Sequence, residues 1–128
     1  MEPKVLIVDD EPNIRILLEQ ALEDLEDEGI DLLTAQNGLE ALEIIKEEKP
    51  QLVFLDVMMP KKNGFEVCQI VKKEWNFSET YIILLTAKGQ EFDKNQGIEA
   101  GADLYMTKPF RPKEVLQKSL EILGLELD

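Results

Sequence analysis

The stretch QLVFLDVMMPKKNG (residues 51–64) runs apolar through Leu52, Val53, Phe54 and Leu55, then ends on a lone carboxylate, Asp56. Two methionines, a proline and a basic turn follow at once. A short apolar run bounded by turn residues fits a strand buried on both faces, the pattern of a parallel sheet. An isolated carboxylate is costly to desolvate, so something must make the charge of Asp56 tolerable.

Working outward, apolar runs of strand length alternate with stretches of helical period. KVLIV (4–8) reads as strand one, and Pro12 sits where a first helical residue is welcome. Ile14, Leu17, Leu18, Ala21, Leu22 and Leu25 recur at three- and four-residue steps, predicting one amphipathic helix that Gly29 ends. IDLLTA (30–35) reads as strand two. Asn37-Gly38 opens a second helix carrying Leu39, Leu42 and Ile45, with Pro50 just beyond it. After strand three (52–55), Asn63 and Glu66 form a capping-box pattern before Val67, Ile70, Val71 and Trp75. YIILL (81–85) is strand four and DLYM (103–106) strand five. Between them, 89–101 is predicted as a fourth helix with only Phe92, Ile98 and Ala100 for an apolar face. A fifth helix starts at Pro112 and uses Leu116, Leu120 and Leu123. Five strands alternating with five helices predict an α/β fold built of βαβ units, a parallel sheet with helices on both faces.

Composition narrows the function. The 128 residues are expected to form a single domain, 1–128, with 44% hydrophobic and 32% charged residues. Fourteen Lys and Arg against 27 Asp and Glu give a net charge of −13, which repels nucleic-acid phosphates and argues against direct binding of DNA or RNA. No run approaches the roughly 20 apolar residues of a membrane span, and the start lacks a signal-peptide pattern. The single cysteine, Cys68, has no intramolecular disulfide partner; together these features predict a cytoplasmic protein. There is no histidine, which removes Ser-His-Asp triads, His-ligated metals and a phosphohistidine of its own.

In open parallel sheets ligands sit at the carboxyl ends of the strands. Strand one delivers Asp9 and Asp10 there, followed by Glu11; strand three delivers Asp56 and strand four Thr86, while Lys108 follows strand five. Taken singly, Asp10 or Glu11 is a helix-start carboxylate, Thr86 a turn-capping hydroxyl and Lys108 a solvated lysine. Together they make an acidic pocket with one cation opposite. Crowded carboxylates raise one another's pKa values unless a positive charge intervenes. A hard divalent cation, Mg²⁺, suits an all-oxygen donor set, whereas the lack of histidine and a lone cysteine disfavours zinc or copper.

VLIVDDEP, LVFLDVMMPKKNG, LLTAKG and GADLYMTKPF, in this order, resemble the four signature blocks of the receiver domains of two-component response regulators. The resemblance implies a doubly wound, flavodoxin-like (βα)5 three-layer sandwich, its five-stranded parallel sheet in the order 2-1-3-4-5. It implies that Asp56 accepts a phosphoryl group from a phosphohistidine of a sensor histidine kinase or phosphotransfer protein. Asp9, Asp10, Asp56 and the backbone carbonyl of Met58 would bind Mg²⁺. Lys108, through an expected cis Lys108-Pro109 bond, would pair with the phosphoryl group and Thr86 would hydrogen-bond it. Tyr105 matches the family's switch aromatic; from spacing alone it is equally a half-buried strand tyrosine. Phosphorylation would then alter the face formed by helix four, strand five and helix five, which binds a downstream partner.

Leu104 replaces a commonly acidic residue and the last helix lacks the expected arginines, so a monomer or a weak phosphorylation-dependent dimer is expected. Met58 and Lys88, at two positions that tune phosphoryl lifetime, predict slow autodephosphorylation rather than enzymatic turnover. A flavin carrier of the same fold would need a hydroxyl-rich loop where Asp9, Asp10 and Glu11 stand. An aspartyl-phosphate hydrolase would carry a second aspartate where Met58 stands. An interaction domain that had lost phosphorylation would not keep every site residue. A stand-alone regulator acting through protein contacts is the simplest expectation.

Overall fold

The computed structural model describes residues 3–59, 61–87 and 99–125. Most of the fourth helix expected over 89–101, together with Lys88 and Pro60, lies outside the described residues.

The elements are β1 (Lys4–Val8), α1 (Pro12–Ala21), α2 (Glu23–Asp27), β2 (Asp31–Ala35), α3 (Gly38–Glu48), β3 (Leu52–Asp56), α4 (Gly64–Gln69), β4 (Tyr81–Ala87), β5 (Leu104–Lys108) and α5 (Pro112–Leu123). The strands form one parallel sheet in the order β2-β1-β3-β4-β5, as expected. The reversal of strand order falls between β1 and β3, the two strands that carry the acidic residues. Alternation then sorts the core. Val5, Ile7, Leu52, Phe54, Ile83 and Leu85 face α1, α2 and α5, where Leu18, Leu22, Leu25 and Val115 close one buried cluster. Leu6, Val8, Val53, Leu55, Ile82 and Leu84 face the other way, against Ala41 and Ile45 of α3 and Val67, Cys68 and Val71. All five residues of β3 are buried, which is why its sequence shows no polar alternation.

Three local differences from the expected elements have physical causes. The predicted first helix breaks at Leu22 (φ −104°, ψ 9°) into α1 and α2. Glu23, Asp24, Asp27 and Glu28 stack like charges three and four residues apart, near a C-terminal end where the macrodipole disfavours anions. The third helix opens into a π turn over Ile70–Glu74, closed by Trp75 N donating to Ile70 O at 2.9 Å. There Trp75 packs on Phe77, with ring centroids 5.4 Å apart, and Lys46 lies over its ring. Finally, β4 and β5 extend to Ala87 and Lys108, so Thr86 and Lys108 are ladder residues rather than loop residues, paired at Thr86–Thr107 and Ala87–Lys108.

Candidate functional site

The site begins with register. Val8 pairs with Leu55 and Asp56 with Leu85, so the ends of β1, β3 and β4 lie level. Asp9 continues β1, its N–H donating to Ala35 O at 3.2 Å, and is fully buried. Asp56, the last residue of β3, is 5% exposed. Lys108 reaches across from β5: its Nζ donates to Asp9 Oδ2 at 3.0 Å and to Asp56 Oδ1 at 3.2 Å. The side chain that makes the buried carboxylate tolerable is therefore a lysine from the far end of the chain. The Lys108-Pro109 bond is cis, as expected.

One ammonium does not offset this pocket. Burial, then the charge of Asp9, pushes the Asp56 carboxyl up to about 7, against the lowering effect of Lys108. Burial acts to lower the Lys108 pKa, but the hydrogen bond to Asp9 and the charges of Asp56 and Asp9 outweigh it and leave it raised. Lys108 thus stays charged, while burial first and the charge of Asp9 second hold the Asp56 carboxyl near 7. Carboxylate oxygens of Asp9, Asp10 and Glu11 lie within 4.8 Å of one another, with Asp10 and Glu11 exposed. An all-oxygen cluster with surplus negative charge fits a hard divalent cation held partly by water. Asp56 is not part of that cluster and is joined to it through Lys108 and Asp9.

The loop after Asp56 is held as tightly as the strand. Gly64 N donates to Val57 O at 2.9 Å, and a Cβ on Gly64 would stand 2.5 Å from Asp56 O. A Cβ on Gly38 would meet Lys62 O at 2.2 Å, so the loop also rests on the start of α3. Both close approaches require glycine. Asn63 and Glu66 make the expected capping box at the start of α4. Met58, two residues beyond Asp56, is 64% exposed.

Thr86 is 3% exposed, and alternation along β4 puts it on the Ile82 and Leu84 face of the sheet. Tyr105 pairs with Leu84 in the ladder and packs, half-buried, against the same core cluster. Thr86 and Tyr105 therefore share a sheet face two residues apart in register, while Asp9, Asp56 and Lys108 continue the opposite face. Beyond Tyr105, a groove of about 610 Å³ runs between β5 and α5, lined by Leu104, Met106, Lys113, Gln117 and Lys118 among others.

Sequence reasoning placed Asp9, Asp10, Asp56, Thr86 and Lys108 at this edge and missed two contributors. Glu11 was read as a helix-start residue, yet it joins the carboxylate cluster. Arg15 was passed over although its Nη1 donates to Asp9 O at 2.6 Å; a cation in a helix's first turn was the available signal. Cys68 is a buried packing residue. Its Sγ lies 3.6 Å from Ala100 O, and burial pushes its thiol up to about 12.

Comparison with known proteins agrees with this geometry. The model of the response regulator receiver domain matches residues 5–120. The chain is 48% identical over 123 residues to the alkaline phosphatase synthesis transcriptional regulatory protein PhoP of Bacillus subtilis (strain 168), covering 96% of this chain and 49% of that protein. The chain spans about half the length of the curated relatives it matches. A putative response regulator from Chloroflexus aurantiacus superposes with a TM-score of 0.85 at 33% identity, covering 97% of this chain and 99% of the other. The BeF3-activated DrrB receiver domain does so with a TM-score of 0.83 at 35% identity, covering 97% and 99%. With the family model covering most of its length, the chain belongs to the response regulator receiver domains of two-component signalling.

Proposed function

We propose that Asp56 is the phosphoacceptor of a signalling switch, and that residues 1–128 form a single receiver domain. The observation that carries this reading is the buried carboxylate at the end of the most buried strand, tied by Lys108 to Asp9. In this reading an Asp56 oxygen attacks the phosphorus of a phosphohistidine on a sensor kinase or phosphotransfer protein. The P–N bond breaks, the imidazole leaves with the electron pair and takes up a proton, and an aspartyl phosphate remains. Lys108 moves from bridging two carboxylates to pairing with a phosphoryl oxygen, and the Thr86 hydroxyl donates to another. Asp9, Asp10, Asp56 and the Met58 carbonyl would hold Mg²⁺, with Glu11 adjacent. When bound, the ion supplies the charge neutralisation that a loose phosphoryl-transfer transition state needs.

The output follows from the sheet face that Thr86 and Tyr105 share. Movement of the Thr86 side chain toward the phosphoryl group frees volume beside Tyr105, and the groove between β5 and α5 changes shape for a downstream partner. That groove mixes Lys113 and Lys118 with Glu114 and Glu121. It suits a protein partner, and the chain acts as a monomer or a weak phosphorylation-dependent dimer without touching nucleic acid itself. Among the described residues no helix is long and apolar enough to cross a membrane; cytoplasmic residence belongs to this proposal. The chain would act on its own phosphoryl group alone and turn over no external substrate.

The test is labelling with acetyl phosphate or a phosphorylated kinase, read as a mobility shift on a phosphate-affinity gel. Labelling of the wild type in Mg²⁺, and none in EDTA or in Asp56→Asn, is expected. Persistent labelling in EDTA would remove the metal from the proposal, and labelling of Asp56→Asn would remove the acceptor.

A further inference from the structure

The first turn of α1 carries a cation at the end of the helix where the macrodipole disfavours one, and no acidic residue stands in that turn to compensate. Arg15 is the residue concerned. Its guanidinium makes no ion pair among the described residues, although Asp9, Asp10 and Glu11 stand close by in the chain. Nη1 donates instead to the main-chain carbonyl of Asp9 at 2.6 Å. Every other polar group of Asp9 is held by something else. Its N–H donates to Ala35 O, its Oδ1 accepts from Glu11 N at 2.9 Å, and its Oδ2 accepts from Lys108 Nζ at 3.0 Å.

The Asp9 carbonyl belongs to the peptide plane that joins Asp9 to Asp10. Fixing that plane sets the direction in which the exposed Asp10 leaves the strand, and so the relation between its carboxylate and that of the buried Asp9. A planar guanidinium on a helix that is itself packed on the sheet is a stiff support for such a plane. Groups that orient metal ligands without touching the metal typically change metal affinity by about 10- to 100-fold when removed.

We propose that Arg15 is a positioning residue for the divalent-cation site, acting through the Asp9 carbonyl on the Asp9–Asp10 peptide. The inference rests on the reading of the acidic pocket as a Mg²⁺ site. It differs in sign from a purely electrostatic role. Removing a cation beside an acidic pocket should tighten Mg²⁺ binding by Coulomb's law, whereas removing a support for the ligands should weaken it.

Isothermal titration of Mg²⁺ into the full chain separates these cases, using wild type, Arg15→Met, Arg15→Lys and Asp10→Asn, each melted in EDTA to establish that it is folded at the titration temperature. Arg15→Met is expected to weaken Mg²⁺ binding by about tenfold, with part of the loss recovered in Arg15→Lys, which keeps a donor. If Arg15→Met does not stay folded, Arg15→Gln, with its shorter amide donor, takes its place and is expected to weaken binding. Unchanged or tighter Mg²⁺ binding in the folded Met or Gln variant would overturn the proposal, even if the melting temperature falls. Wild type that binds no Mg²⁺, or Asp10→Asn that binds it as tightly as wild type, would instead overturn the reading of the pocket, and the proposal with it.

Discussion

Replacing Asp56 with asparagine should stabilise the metal-free protein, and by an amount that depends on pH. Asp56 is 5% exposed, and burial and then Asp9 push its carboxyl from an ordinary 3.8 up to about 7. The folded state therefore binds this proton more tightly than the unfolded chain. That contribution to stability is fully present below pH 3.8 and is lost as the pH rises through about 7. At about 1.4 kcal/mol per pKa unit, the whole shift is worth a ceiling of about 4 kcal/mol, of which about 3 kcal/mol disappears between pH 5 and pH 8. Lys108 also has a raised pKa and stays protonated throughout this window, so it does not alter the sign.

Asparagine is uncharged at every pH and close in shape to the protonated acid. The stability of Asp56→Asn relative to wild type, in EDTA, should therefore grow from pH 5 to pH 8. At about 3 °C per kcal/mol for a chain of this size, the gain in relative melting temperature has a ceiling of about 10 °C. Thermal melts of both proteins at pH 5, 6, 7 and 8 read this difference, and comparing the two cancels the carboxylates remote from the pocket. Adding Mg²⁺ at pH 8 should then favour wild type, which binds the ion better and gains stability by mass action. An advantage that stays constant across the pH range, or a variant less stable than wild type at pH 8 in EDTA, would refute the argument that burial and Asp9 make the Asp56 charge destabilising.

Lys108→Met should reduce the initial rate of Asp56 labelling by about 100-fold, the usual cost of removing one donor that faces developing charge; a rate within threefold of wild type at saturating phosphodonor would count against its role. Gly64→Ala should destabilise the fold by about 1–3 kcal/mol in urea melts, because the new methyl meets the Asp56 carbonyl at 2.5 Å and the backbone must shift; an unchanged midpoint would show that the loop has slack. With an apolar side chain at Met58 and a lysine at Lys88, the phosphoryl group should outlast about a minute at 25 °C, a barrier only slightly above ordinary turnover. Faster decay of purified phosphoprotein on the same gels would remove the shielding argument.

What could be read from the sequence, and what could not, follows from the range of the forces involved. β3 was legible because burial on both faces leaves an unbroken apolar run, and Asp56 stood out against it. Thr86 and Lys108 were legible as chemistry, but their places in the ladder were not. Strand ends are set by pairing with a neighbour, and Thr86–Thr107 and Ala87–Lys108 are pairings no local pattern encodes. The break at Leu22 was written in the like charges of Glu23 to Glu28, which apolar periodicity alone does not weigh. The π turn before Trp75 had no sequence signal beyond the aromatic pair it serves. Gly64 and Gly38 look like ordinary turn and helix-start residues in the sequence because their reason is a backbone from elsewhere in the chain.

Arg15 was the most instructive omission. An arginine six residues after a strand-end acid looks like surface on any helical wheel, and only the fold shows its guanidinium on the Asp9 carbonyl. The chain's response to the acidic pocket is therefore divided between two cations with different tasks. Lys108 bridges the carboxylates and stays charged beside them. Arg15 leaves the carboxylates alone and grips the backbone that carries them. Even so, burial and then the charge of Asp9 hold the Asp56 carboxyl near 7, and the proposed divalent ion would add positive charge where Lys108 alone leaves the shift in place. Because burial is the larger cause, Asp56 should keep a raised pKa even with Lys108 in place, and a fall of that pKa on adding Mg²⁺ is the electrostatic signature that the proposed ion site should show.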